Sequence, residues 1–162
     1  GELAELTAEE YEAILSFVDW YKEPNPTILE IEHTVINEEE GYAGTIDLIC
    51  EIGGQVYIVD LKTSQSIWTE YELQVSAYKH ATEHKNAKLA ILQLGYKRNK
   101  KLFKFTEIED KFEIFKAAKQ IWANETAGQS PSQKDYPLVL SLKEKKNEKP
   151  TNKTIGKTKG DN

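Results

Sequence analysis

The stretch Gly41–Ser64, "GYAGTIDLICEIGGQVYIVDLKTS", decides the fold. Two apolar runs flank Gly53-Gly54, and each carries one aspartate, Asp47 and Asp60. A Gly-Gly pair between β-rich runs predicts a two-residue hairpin, because primed turns need the positive φ that glycine adopts at little steric cost. With the glycines as the loop, Ile52 faces Gln55, Cys50 faces Tyr57, and Asp47 falls opposite Asp60. Alternation then puts Ile46, Leu48, Cys50 and Ile52 on one face, with Val59 and Leu61 across from them, and marks that face as core. Asp47, Asp60 and Lys62 share the other face. Directly opposed side chains have Cβ atoms roughly 5 Å apart, and like charges there are destabilising. Such a pair implies a cation between them. Lys62 is offset along the strand, so a divalent metal is the sharper candidate.

The 162 residues suit one domain with a real core. No apolar run approaches the roughly 20 residues that span a bilayer, and no signal peptide is visible. Cys50 is the only cysteine, which excludes internal disulfides and Cys-rich zinc sites and fits a reducing cytoplasm. The chain begins at Gly1 and contains no methionine, so a processed or trimmed piece is expected. Net charge is −6, yet its distribution is uneven. Residues 1–42 hold twelve acids and one lysine, whereas Lys85 to Lys104 holds seven basic residues and no acid. An acidic average therefore conceals a basic stretch, and phosphate binding responds to the local field.

Outward from the hairpin, "TAEEYEAILSFVDWYKE" predicts a helix capped by Thr7, with Tyr11, Ile14, Leu15 and Val18 at helical spacing and Pro24 and Pro26 ending it. "TILEIEHTVI" predicts a first strand with Leu29, Ile31, His33 and Val35 on one face. A helix over "TEYELQVSAYKHATEH", strands over "AKLAILQLGY" and "KKLFKFTEI", and a helix over "EDKFEIFKAAKQIWANE" follow, the last burying Phe112, Phe115 and Trp122. The order α-β-β-β-α-β-β-α predicts a mixed sheet with helices packed on it, an α/β (α+β) fold. Residues 127–162 read as a Lys-rich C-terminal extension to a domain over 1–126, disordered over about the last 15 residues on composition, with "DYPLVLSL" its one apolar island.

Asp60 and Lys62 project from one face of a strand, and Gln74 and Tyr78 share one face of a helix. Asp47, then "DLK" (Asp60–Lys62), then "QVSAY" (Gln74–Tyr78), in that order and spacing, resembles the PD-(D/E)xK nuclease superfamily, and its RecB-type and phage lambda exonuclease-like branch most closely. The resemblance covers roughly Ile28 to Ala81 and implies a restriction-endonuclease-like αβββαβ core. It further implies a metal-dependent DNA nuclease of phage DNA processing or recombination, an exonuclease first with an endonuclease left open, in the cytoplasm of a bacterium or a phage-infected host. Asp47 and Asp60 would bind Mg²⁺ or Mn²⁺, with the Leu61 carbonyl a further ligand. Lys62 would position or polarise the attacking water, and Gln74 and Tyr78 would brace the site or touch DNA. An acid from the first strand is also implied: Glu32, with Glu30 and His33 as rivals. Lys97, Arg98, Lys100 and Lys101 are candidates for the DNA-facing surface, and a homo-oligomer or a recombination partner protein is a candidate assembly. This sequence departs from the pattern in having one arginine, Arg98, and an acidic average.

Two other readings compete. A catalytically silent nuclease-fold module would bind nucleic acid or protein with the motif kept by descent. "HATEH", His80 to His84, spells the H-x-x-E-H zinc-protease signature, but no second domain offers a third ligand.

Overall fold

The structure, a computed structural model, describes residues 6–95 and 102–129. Lys97, Arg98, Lys100, Lys101, the "DYPLVLSL" island and the tail expected to be disordered lie outside the described residues. The chain divides into two compact units, Gly1–Ala127 and Gly128–Asn162, and among the described residues every helix and strand lies in the first.

The elements run α1 (Ala8–Lys22), β1 (Thr27–Asn37), β2 (Tyr42–Ile52), β3 (Gln55–Lys62), α2 (Thr69–Ala81), β4 (Lys88–Leu94), β5 (Phe103–Ile108) and α3 (Phe112–Glu125), the order expected from the sequence. One five-stranded sheet takes them in the order β1-β2-β3-β4-β5. All neighbours are antiparallel except β3 and β4, which are parallel and are joined across α2. Gly53 and Gly54 both take positive φ, 59° and 81°, and Ile52 pairs with Gln55 and Cys50 with Tyr57 as the hairpin requires.

Both faces of the sheet are core. On one face α1 brings Trp20, Phe17 and Ala13 against Leu48, Cys50, Tyr57, Val59 and Leu92. On the other, α2 brings Val75, Tyr78 and Ala81 against Val35, Ile46, Ile49, Ile58 and Leu89. Thr7 caps α1 reciprocally: its hydroxyl accepts the Glu10 N–H at 3.2 Å, and the Glu10 carboxylate accepts the Thr7 N–H at 2.7 Å. Buried Ser16 then ties α1 to the end of β4 by accepting the Gly95 N–H at 3.0 Å. Tyr11, Ile14, Leu15 and Val18 form the outward stripe of α1, not its packed one. Among the described residues, no helix is long and apolar enough to cross a membrane.

Strict alternation fails at one level of the sheet. Ile46 packs beneath α2 with Ile49, while Leu48 and Cys50 face α1, so the face reverses around Asp47. Strand β1 is irregular at the same level. It carries a bulge between Ile28 and Glu30, and Glu32 takes φ 51°. Ile31 pairs with Leu48 and His33 with Ile46, but Glu32 and Asp47 between them do not pair. The expected single face of Leu29, Ile31, His33 and Val35 is therefore split: Val35 is core, whereas Ile31 is 68% exposed. In α3, Phe112 and Phe115 close around Tyr42 with ring centroids 6.3 and 5.0 Å away, and Lys119 pairs with Glu40. Trp122, expected on that buried stripe, is 65% exposed, about one helical turn beyond the Lys119–Glu40 pair.

Cys50 is fully buried, and burial pushes its thiol up to about 11. Since the thiolate is the reactive form, loss of thiolate alone should slow native labelling by a disulfide reagent roughly 100-fold relative to the unfolded chain. Equal rates with and without denaturant would contradict this burial.

Candidate active site

The irregular level of the sheet is also where the acids lie. The β2–β3 ladder pairs Glu51 with Val56, Cys50 with Tyr57 and Leu48 with Val59, and it stops one pair short of Asp47 and Asp60. Instead of pairing main chain to main chain, Asp47 turns its carboxylate Oδ2 to accept the Leu61 N–H at 2.8 Å. The two aspartates thus flank a gap between strands. In an extended strand a residue's N–H and C=O point to the same neighbour, so the Leu61 carbonyl also faces this gap.

Asp60 and Lys62 point from β3 toward α2, as period 2 requires. Asp60 is 3% exposed. Lys62 Nζ lies 2.8 Å from its Oδ2 and donates to Oδ1 at 3.1 Å. Although close to Lys62, Oδ2 accepts no well-directed hydrogen bond and is buried. Burial holds the Asp60 carboxyl above its usual range; Lys62 opposes that rise and the Asp47 charge adds to it. Here a carboxylate is desolvated beside a second acid and only partly compensated.

Helix α2 supplies the wall. Lys62 Nζ donates to Gln74 Oε1 at 3.4 Å and sits 4.8 Å from the centre of the Tyr71 ring. Gln74 Nε2 donates to the Tyr78 hydroxyl at 2.7 Å. Burial raises the Tyr78 hydroxyl, and the charges of Asp60 and Asp47 push the same way. Tyr78 in turn lies against Gly44 of β2: a Cβ on Gly44 would fall 2.4 Å from Tyr78 Cε1. Gln93, 1% exposed and level with Lys62 in the β3–β4 register, donates to the Ser64 carbonyl at 2.9 Å and pins the chain leaving the site.

Asp47, Asp60, Lys62, Gln74 and Tyr78, all named from the sequence, therefore come together. Glu32 holds the β1 position level with Asp47 but is exposed. Its rivals are engaged elsewhere: Glu30 pairs with His33 and accepts or shares a proton with His84 Nε2 at 3.2 Å. Sequence reading missed Gly44, Tyr71 and Gln93. A lone glycine inside a strand signals close approach, and Tyr71 stands one helical turn before Gln74. Gln93 carried no local signal.

The donor set suits a hard cation. Two carboxylates, one with a buried oxygen lacking a directed donor, and a backbone carbonyl are oxygen ligands of the kind Mg²⁺ or Mn²⁺ takes, with water completing the shell. Among the described residues no three His, Cys, Asp or Glu side chains are grouped to hold a metal, so Glu32 is not brought to this pair. The H-x-x-E-H pattern is not assembled either. Helix α2 ends at Ala81, so His84 lies beyond it; His80 Nε2 contacts Asp110 at 2.9 Å while His84 contacts Glu30. A cleft of about 620 Å³ opens between the start of α1 and the ends of β3 and β4, beside Thr63 and Gly95. Glu9, Glu10 and Glu12 line it, and carboxylates there would repel a phosphate backbone.

A mixed sheet with helices on both faces and an Asp…Asp-x-Lys site at a gap between strands is a restriction-endonuclease-like arrangement. The chain belongs to the PD-(D/E)XK nuclease superfamily, whose family model matches residues 2–137. No curated protein matches the chain. Among similar solved structures is one described as "Crystal structure of SSO0001", with 15% identity and a TM-score of 0.43. The likeness covers 78% of this chain and 63% of that one.

Proposed function

We propose that this chain is a divalent-cation-dependent deoxyribonuclease of the RecB and lambda exonuclease-like branch, acting at DNA ends in phage-type DNA processing. One observation carries the reading: buried Asp60, held by Lys62 and facing Asp47 across a gap where main-chain pairing has stopped. Phosphodiester hydrolysis must activate water at neutral pH and stabilise negative charge on the phosphate. A bound Mg²⁺ or Mn²⁺ supplies both effects. Asp47 and Asp60 are its proposed ligands, with the Leu61 carbonyl a candidate addition. Lys62 would orient the attacking water and meet charge developing on the scissile phosphate. Gln74 fixes Lys62, and Tyr78, seated on Gly44, fixes Gln74.

The test is cleavage of linear and closed-circular DNA by wild type and Asp60→Ala, with Mg²⁺, Mn²⁺ or EDTA. Metal-dependent loss of linear DNA alone supports an exonuclease; nicking of circles supports an endonuclease. Cleavage in EDTA, or by Asp60→Ala, overturns the site.

The proposed DNA-facing surface is the basic run after β4. Reversing Lys97, Arg98, Lys100 and Lys101 to glutamate is expected to weaken DNA binding and flatten its logarithmic salt dependence by about 1 for each phosphate no longer neutralised. An unchanged slope, measured by anisotropy across salt concentrations, would remove that run from the interface.

A second reading is a silent nuclease-fold module that binds nucleic acid or protein. It is favoured by the two-carboxylate site, from which Glu32 is absent. DNA binding without cleavage under any metal would select it.

A further inference from the structure

The latch on α2 is longer than the Gln74–Tyr78 pair. Tyr71, Gln74 and Tyr78 stand at i, i+3 and i+7, so all three line one face of the helix, the face turned to β3. Gln74 and Tyr78 are tied to each other, and Tyr78 is seated on Gly44. Tyr71 instead offers its ring to Lys62 Nζ, 4.8 Å from the ring centre. A cation within about 6 Å of an aromatic centroid is attracted by the negative face of the ring.

From this geometry we infer that Tyr71 is a positioning residue of the site, its ring holding the Lys62 ammonium in place. The inference rests on the nuclease reading for its catalytic consequence. Three groups surround Lys62 Nζ: the Asp60 carboxylate, the Gln74 amide oxygen and the Tyr71 ring. They are not equivalent. Asp60 is also a proposed cation ligand, and a carboxylate shared with a cation attracts an ammonium less. Gln74 is at the long end of hydrogen-bond range. Tyr71 meets Lys62 through the face of its ring and not through a carboxylate shared with a cation, so its hold on Lys62 does not depend on what Asp60 binds. A lysine on a flexible four-carbon stem needs such a partner to keep one direction. Tyr71 thereby confines Lys62 while Asp60 does other work.

Ring contact has a signature independent of catalysis. Protons above an aromatic ring resonate upfield, so the Lys62 ε-methylene of the full chain, labelled with ¹³C-lysine and assigned by its loss in Lys62→Arg, is expected upfield of the other lysines. Tyr71→Phe keeps the ring and should keep both this shift and cleavage. Tyr71→Leu should remove the shift and lower kcat about tenfold with KM little changed. An unshifted Lys62 signal in the wild type overturns the inference without need of any variant. So does Tyr71→Leu cleaving as fast as wild type. A shifted signal in a wild type that cleaves no nucleic acid overturns the nuclease reading alone and leaves the ring contact standing.

Discussion

Replacing Lys62 with alanine is expected to lower DNA cleavage by about 10²–10³-fold, the usual effect of removing one preorganised charge from developing negative charge. Among the described residues, Lys62 is the cation paired with Asp60. The change also strands Asp60, which is buried and already held above the ordinary carboxylate range by that burial. A buried carboxylate that loses its partner costs about 3–5 kcal/mol, or takes up a proton. Activity must therefore be compared at a temperature where circular dichroism shows the variant folded. A folded Lys62→Ala enzyme within threefold of wild type would remove Lys62 from the chemistry.

Gly44→Ala is expected to damage the site from a distance. Its Cβ would meet Tyr78 Cε1 at 2.4 Å and Cζ at 3.2 Å. The ring cannot swing freely, because its hydroxyl is bound to Gln74 and its body packs with Val35, Ile46 and Ile58. Overpacking of this kind costs about 1–3 kcal/mol, which for a domain of this size lowers Tm by about 2–4 °C per kcal/mol. Displacing Tyr78 also frees Gln74, so cleavage should fall along with stability. The diagnostic is non-additivity. In a Tyr78→Ala background there is no ring to displace, and the added cost of Gly44→Ala should vanish. An equal cost in both backgrounds would assign the effect to the β2 backbone instead.

Most of this site was legible because its residues obey simple periods. Gly53-Gly54 fixed the hairpin register, and register fixed the level of Asp47 and Asp60. Period 2 set Asp60 and Lys62 on one face, and the four-residue step did the same for Gln74 and Tyr78. What could not be read is where periodicity breaks. Ile46 and Leu48 face opposite sides of the sheet because the strand reverses around Asp47, and no residue type there signals an irregularity. Glu32 at φ 51° breaks β1 in the same way, with a glutamate where glycine or asparagine would have signalled it. Marking only one hairpin face as core told half of the packing, since α2 covers the other face as well. That cover is what makes Asp60 a buried acid. Trp122 failed for a different reason: its place on the stripe is right, but a helical period says nothing about how far the packing partner extends.

Asp60→Asn, melted with and without Mn²⁺, tests most directly whether the two aspartates form a strained cation site. The folded-state pKa of Asp60 is raised, so over the carboxylate range the unfolded chain releases this proton first. Stability contributed by the group is full below the unfolded pKa, near 4, and is lost as pH rises through the folded value. Above the unfolded value the wild type gives up this stability progressively, and the uncharged amide of the variant does not. The shape is kept, and Lys62 retains Gln74 and Tyr71. The variant should therefore melt above wild type in EDTA. Mn²⁺ at a hundredfold excess over Kd stabilises a one-site folded state by about 2.7 kcal/mol, so wild type should gain several degrees and the variant little. A variant that melts below wild type in EDTA, or gains as much from Mn²⁺, contradicts the paired-carboxylate site.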